Sequence, residues 1–371
     1  MTWLRRPSGA APRALVGLAP RALVGLALAT LALGAAACGA GEADPAKRAA
    51  LVPIGAGLRG PEGLAATVYA TGLPTASAFA LDGRGRLWVA TSAASDHRHD
   101  GVYLVARAGA RPLKVIGGVR GPLGLTWYRG SLYVASLGRV ERFSGLHGTR
   151  FAKRTTILTE PRGHGWNNSI VAAPNGRLVM GISSACDHCT QRSRWSATIL
   201  SFRPDGSDVR VYAKGIRAPF GLAFYPGTSD LLVSMNQRDD LGAKTPGDWL
   251  AHVSQGDDWR FPECYGQGGS ACARVPSPIA VLDKHAAAGA VAVVPEQLRP
   301  VVGTAALVTE WQAARVLQVP LTRSGSTYRG TATPFLTGVR NPLALATTRD
   351  GAILVGDWGT GRIYRIARRA P

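Results

Sequence analysis

RNPLALATTRDGAILVGDW (340–358) is an apolar strand, a turn centred on Asp350 and Gly351, and a second apolar strand. The same phrase recurs along the chain as LPTASAFALDGRGRLWVAT (73–91), RGPLGLTWYRGSLYVAS (120–136), WNNSIVAAPNGRLVMGIS (166–183), RAPFGLAFYPGTSDLLVSM (217–235) and RPVVGTAALVTEWQAARVLQV (299–319). Equivalent strands return at intervals of about 45, 45, 52, 84 and 39 residues, which is the signature of propeller blades or a solenoid. Strand-only repeats joined by hairpin turns select the propeller. The expected fold class is therefore all-β, a six-bladed β-propeller, and any chemistry is expected along its central axis. The interval of about 84 is read as containing an insertion at roughly 236–298, and loops of that length are usually functional. GRIYRIAR (361–368) is read as an outer strand.

Outside the repeats the chain divides simply. Arg5, Arg6, Arg13 and Arg21 precede a charge-free apolar run from Ala22 to Ala37, followed by Cys38. That order is signal-peptide grammar, and small residues ending at a single cysteine match a lipoprotein signal, with Cys38 as the lipidated residue and ordinary cleavage nearby as the alternative. Residues 1–37 are thus expected to be a signal peptide, 38–59 a tether and 60–371 the propeller. The apolar run, at about 16 residues, is short for a membrane span. The octamer APRALVGL stands twice in tandem within residues 1–37 (11–18 and 19–26).

A hydrophobic content of 46% excludes global disorder. The formal charge of +20 falls to +16 without residues 1–37, which hold four arginines and no acids. The remaining cations are scattered over turns, so the chain is not expected to bind nucleic acid, and only a lipid anchor would bring it to a membrane. Cys186, Cys189, Cys264 and Cys272 make an even count beside Cys38, as for two local disulfides in an oxidising compartment. A zinc site built from the same four has unsuitable spacing. Thr190 follows the CxxC, which excludes covalent haem attachment, so electrons from any oxidation would leave to a separate acceptor.

Four blade beginnings carry an arginine before or near a proline: Arg120, Arg217, Arg299 and Arg340. Converging on an axial mouth, such guanidiniums would bind a compact polyanion; the alternative is a repeated turn with a surface cation. His164, at the entrance of the third blade, is the residue type suited to general-base work near neutral pH. In MNQRDDLG (235–242), Asp239 and Asp240 with Asn236 and Gln237 offer the oxygen ligands that calcium requires, against the alternative of a solvated acidic loop. His97, His99 and Asp100 cluster in SDHRHDG, and Asn167-Asn168-Ser169 matches a glycosylation sequon. No nucleophile elbow, P-loop or dinucleotide-binding glycine motif is present.

HGWNNSIVAAPNGRLVMGISSACDHC (164–189), GIRAPFGLAFYPGTSDLLVSMNQRDDLG (215–242), DWRFPECYG (258–266) and FLTGVRNPLALATTRDGAILVGDWGTGRIYRI (335–366) together resemble the soluble pyrroloquinoline-quinone-dependent glucose/sorbosone dehydrogenases, in their sorbosone branch. The likeness covers most of 65–371. It implies oxidation of a sugar, alcohol or aldehyde by hydride transfer to the quinone, with His164 as general base. Arg217 and Arg340 would hold and polarise the cofactor, and Arg120 would join them at the mouth. Calcium near Asn236 to Asp240 would act as a Lewis acid, and Lys284 and His285 resemble another cofactor-side segment. The chain departs from the family in Ala218, where Asn is common, in one extra residue after His164, and in a fifth-blade phrase without histidine. Two rival functions follow from the same fold: a binding propeller that has lost its chemistry, and a calcium-dependent lactonase-type hydrolase, for which acids at the blade entrances are too few. No motif sets an oligomeric state.

Overall fold

The computed structural model describes residues 50–93, 95–159 and 166–369. Six four-stranded antiparallel sheets form a ring, so the fold is the expected six-bladed propeller. The first blade comprises Ala76–Leu81, Leu87–Thr91, Gly101–Val105 and Leu113–Ile116, from the axis outward. The second to fourth blades follow the same order from innermost strands Gly124–Tyr128, Asn167–Ala172 and Pro219–Phe224.

The second strand of each blade explains why the repeats are so legible. Leu87–Thr91, Leu178–Ile182, Leu231–Met235 and Ile353–Asp357 are buried along their whole length. Both faces of such a strand meet a neighbouring sheet, so its sequence is a continuous apolar run. Outer strands such as Leu113–Ile116 are largely exposed. Apolar clusters fill the wedges between blades. Trp88, Val102 and Leu104 of the first blade pack on Leu132, Val134 and Phe143 of the second, and comparable clusters occupy the other wedges. Near the axis the strands touch through backbone: a Cβ on Gly221 would stand 2.3 Å from the Gly289 carbonyl oxygen.

Three expectations about the blades need correction. The segment 236–298 is not one insertion. It holds the third and fourth strands of blade four, Gly247–Val253 and Ala280–Lys284, and the innermost strand of blade five, Ala288–Val293. Arg299 consequently opens no blade; it begins a single helical turn, Arg299–Val302, between the first two strands of blade five. GRIYRIAR contributes the third strand of blade six (Arg362–Arg368), and the outer place is taken by Leu64–Ala70 from the beginning of the propeller. That pairing, Leu64 against Arg368 through Ala70 against Ile363, closes the ring.

The stretch before it is also structured. Val52–Gly55 and Leu58–Gly60 form a hairpin, tied to the ring by reciprocal Arg59–Thr337 backbone hydrogen bonds of 3.1 and 3.0 Å. Ile54 and Leu58 are buried in the cluster between blades five and six. The tether reading of 38–59 therefore does not extend over this hairpin. Among the described residues no helix is long and apolar enough to cross a membrane. Residues 1–37 and Cys38 lie outside the described residues.

Candidate functional site

Each innermost strand is entered by a loop at one end of the axis, and a cavity of about 220 Å³ opens there. Leu123, Trp166, Ala218, Phe220, Ala287 and Leu343 line it from the entry loops and first strands. Ser92, Ser183, Trp311 and Trp358 line it from just beyond the second strands. Leu123 and Phe220 also border a second axial space of about 290 Å³, so they separate the mouth from the channel below.

The wall is chiefly aromatic. Trp311 and Trp358 meet edge to face with ring centroids 5.4 Å apart. Trp358 is fixed by its indole N–H, which donates to the Ser92 carbonyl at 2.9 Å. Trp166 is pressed on the second blade's entry loop, where a Cβ on Gly121 would fall 2.3 Å from its ring. Three buried polar atoms of residues in this wall have no partner among the described residues: Ser92 Oγ, Asn168 Oδ1 and the Trp311 indole nitrogen.

Arg217 is the cation of the wall, and its side chain is only 5% exposed. Its Nε donates to the Asp187 carbonyl at 2.9 Å, its Nη1 to the Asn236 carbonyl at 3.3 Å, and its Nη2 pairs with the Asp187 carboxylate. Asp187 sits between Cys186 and Cys189, which are bridged; Cys264 and Cys272 form the second bridge. Both disulfides agree with an oxidising compartment.

The other residues singled out from the sequence divide around this cavity. Arg120 and Arg340 are exposed on the second and sixth entry loops, at the same end of the axis but not in the wall. Arg340 packs along Gly359, next to Trp358. Asn236 and Gln237 are buried behind Arg217, with Asn236 donating to the Ala288 carbonyl at 2.7 Å. Asp239 and Asp240 both donate their backbone N–H to Asp187, at 3.0 and 2.9 Å. Their carboxylates are engaged elsewhere: Asp240 pairs with Arg238 at 2.6 Å, which holds it down to about 2, and Asp239 pairs with His285 at 2.9 Å. The Gly242 carbonyl and then Asp239 favour the imidazolium of His285 and raise its pKa. Lys284 reaches the Ala243 carbonyl at 3.3 Å. No cluster of three or more His, Cys, Asp or Glu suited to a metal occurs among the described residues. His164 lies outside the described residues.

His97 pairs with Asp100 at 2.6 Å, and Asp100 also accepts from Ala93 and Gly121, so this cluster latches loops together. Asn167 is buried and donates to the Ser136 carbonyl at 2.7 Å, which places the sequon inside the fold.

Sequence reasoning missed Asp187, Asp248, Trp311 and Trp358. Asp248 is buried beside Gln237 and Ala288, whose backbone N–H groups it accepts at 2.8 and 3.0 Å. Burial pushes its carboxyl up to about 7. A signal for the tryptophans did exist: Glu310-Trp311 and Asp357-Trp358 repeat the same acid–tryptophan pair at the ends of equivalent strands.

No protein-family model matches the chain, and no curated protein does. Solved structures do match. A glucose dehydrogenase described as a putative oxidoreductase from Thermus thermophilus is 20% identical over 82% of this chain and 100% of its own, with a TM-score of 0.64. The pyrroloquinoline-quinone-bound aldose sugar dehydrogenase of Streptomyces coelicolor is 20% identical over 83% and 99%, with a TM-score of 0.66. The holo quinone domain of a Coprinopsis cinerea pyranose dehydrogenase is 15% identical over 84% and 97%, with a TM-score of 0.69. At these identities the likeness establishes the shared fold. It agrees with the resemblance to soluble quinoprotein sugar dehydrogenases and does not single out the sorbosone branch.

Proposed function

We propose that this protein is an oxidoreductase that oxidises a small hydroxyl- or aldehyde-bearing molecule, a sugar or alcohol, at the axial mouth with pyrroloquinoline quinone as bound cofactor. One observation carries the reading: a buried guanidinium, Arg217, stands in the wall of an aromatic cavity at the axial mouth. This wall suits a flat polyanionic ring system. The indoles of Trp166, Trp311 and Trp358 offer apolar faces, Arg217 a charge-assisted donor, and Arg120 and Arg340 cations at the rim for outward carboxylates. Bound there, the quinone would supply a two-electron acceptor.

The chain's own residues would do the rest. Arg217, held by Asp187, orients and polarises whatever oxygen faces it. His164 is assigned the proton of the substrate hydroxyl, from its place two residues before Trp166. Asn236 and Gln237 are buried behind Arg217, while Lys284 and His285 are exposed and are assigned to the cofactor side by the resemblance alone. Calcium belongs to the same proposal at Asp239 and Asp240, which would exchange His285 and Arg238 for the ion. Export, a lipid on Cys38 and transfer of electrons to a separate acceptor complete it.

A binding propeller without chemistry is the second reading, favoured by Ala218 and Phe220, which make that part of the wall apolar. Titrating pyrroloquinoline quinone against tryptophan fluorescence, with and without calcium, separates the two. The oxidoreductase reading expects saturable quenching, weakened in Arg217→Ala, and dye reduction with sugars or alcohols that is lost in His164→Ala. Absence of quenching by folded protein at any calcium level would falsify it and leave the binding propeller.

A further inference from the structure

We infer that Asp187 is the positioning residue of Arg217, and that the Cys186–Cys189 bridge around it makes the cavity redox-sensitive.

The bridge closes a ring of four residues on the cavity wall, and both Cys186 and Asp187 line the cavity. Asp187 is the joint at which three segments meet. It grips Arg217 through both its carbonyl and its carboxylate, and the carboxylate also accepts the backbone N–H groups of Asp239 and Asp240. The ring is itself clamped: Ser184 Oγ donates to the Cys186 carbonyl at 2.6 Å and Gln191 donates to the Cys189 carbonyl at 2.6 Å. On its outer side His188 touches the Pro262 carbonyl at 3.1 Å and lies edge-on to Phe261 and Tyr265. A guanidinium at 5% exposure needs an oriented anion, and a four-residue ring gives Asp187 little freedom to leave.

Opening the ring breaks the S–S bond and forms two thiols. The two electrons and two protons come from an external dithiol, which closes to its own disulfide. Cys186 and Cys189 are half-buried and within reach of such a thiolate, and so is Cys272 of the second bridge, although its partner Cys264 is only 2% exposed in the cluster between blades three and four. Of the two bridges the first, Cys186–Cys189, is the one on the cavity wall.

Linkage supplies the test. Whatever holds Asp187 on Arg217 stabilises the closed ring, and the closed ring stabilises that contact by the same factor. The full chain is equilibrated in dithiothreitol buffers of graded redox ratio, alkylated, and each cysteine pair quantified separately by mass spectrometry. Asp187→Asn is expected to shift the Cys186–Cys189 equilibrium at least tenfold towards the dithiol, about 30 mV for two electrons, with Cys264–Cys272 unmoved. Asp187→Glu restores part of the shift. If Asp187→Asn does not fold, Arg217→Lys carries the same expectation. An unchanged midpoint in these variants overturns the inference. A second arm rests on the quinone reading: reduction of the first bridge should weaken quinone binding about tenfold in the wild type and leave Asp187→Asn unaffected. Undiminished binding by the reduced wild type also overturns it. If the oxidised wild type binds no quinone, that reading fails by itself and the midpoint decides the clamp.

Discussion

Asp248 is a buried acid whose two oxygens serve backbone N–H groups on two different elements. Burial raises its pKa from the ordinary carboxylate value to about 7. Between those two values the unfolded chain has released the proton and the folded protein keeps it. Folding is then linked to proton uptake, and stability falls as pH rises from about 4 to about 7. The size is on the order of 4 kcal/mol. Urea unfolding across that range checks the sign, and Asp248→Asn should flatten this part of the profile. At Arg217 the expectation concerns affinity: replacing it with Ala removes the one buried cation of the wall among the described residues and should weaken quinone binding by about 2 kcal/mol, some thirtyfold. Arg217 was legible because an arginine repeated before a proline is visible as a pattern. Asp187 and Asp248 were not, because an acid in a linear sequence looks the same whether it is solvated or buried under two amides.

Buried acids fix the blade entrances. Asp100 accepts the Gly121 amide of the second entry loop at 2.7 Å, and Asp248 accepts that of Ala288, the first residue of blade five. Asp357, fully buried, takes Arg340 on one oxygen and Asn341, Gly359 and Thr360 on the other. Removing it leaves four amides without their acceptor beneath Trp358. Asp357→Ala should therefore cost at least about 3 kcal/mol, and Asp357→Asn should cost less but more than an exposed substitution, because its amide would face the Arg340 N–H. Chemical denaturation of both variants reads this order. The Cys264–Cys272 bridge offers a second check on a loop: opening its short ring should cost about 2 to 3 kcal/mol. At this scale the hairpin phrases were readable wherever a second strand lies between two sheets. Ala288–Val293 escaped notice because alanine, glycine and valine next to the axis carry no turn signal, and the apolar start of the helical turn Arg299–Val302 imitated a blade entrance.

As a whole the molecule is a ring that must be closed, and its two ends are joined in one sheet. Blade six takes three strands from the C-terminal side and its outer strand, Leu64–Ala70, from the start of the propeller. The phrase 340–358 announced the blade, but nothing in it indicates that a strand about 300 residues earlier completes the sheet. Long-range pairing of this kind is set by the geometry of closure and not by a local pattern. Without Leu64–Ala70 the edge of Arg362–Arg368 would present unpaired amides and carbonyls, the kind of edge that recruits other chains. Together with the hairpin before it, this segment brings Ile54, Leu58 and Leu64 into the wedge between blades five and six. Each such side chain is worth about 1.5 to 3 kcal/mol of burial, so the three together rival the whole stability of an ordinary domain. A chain beginning at Leu73 should therefore be recovered as aggregate in size-exclusion chromatography. Leu64→Ala, which keeps the strand and removes one side chain, should stay monodisperse and lose about 2 to 5 kcal/mol in denaturant unfolding. If the shortened chain elutes as a compact monomer and unfolds at the temperature of the full one, the strand is an ornament of the ring and closure must come from the wedges alone.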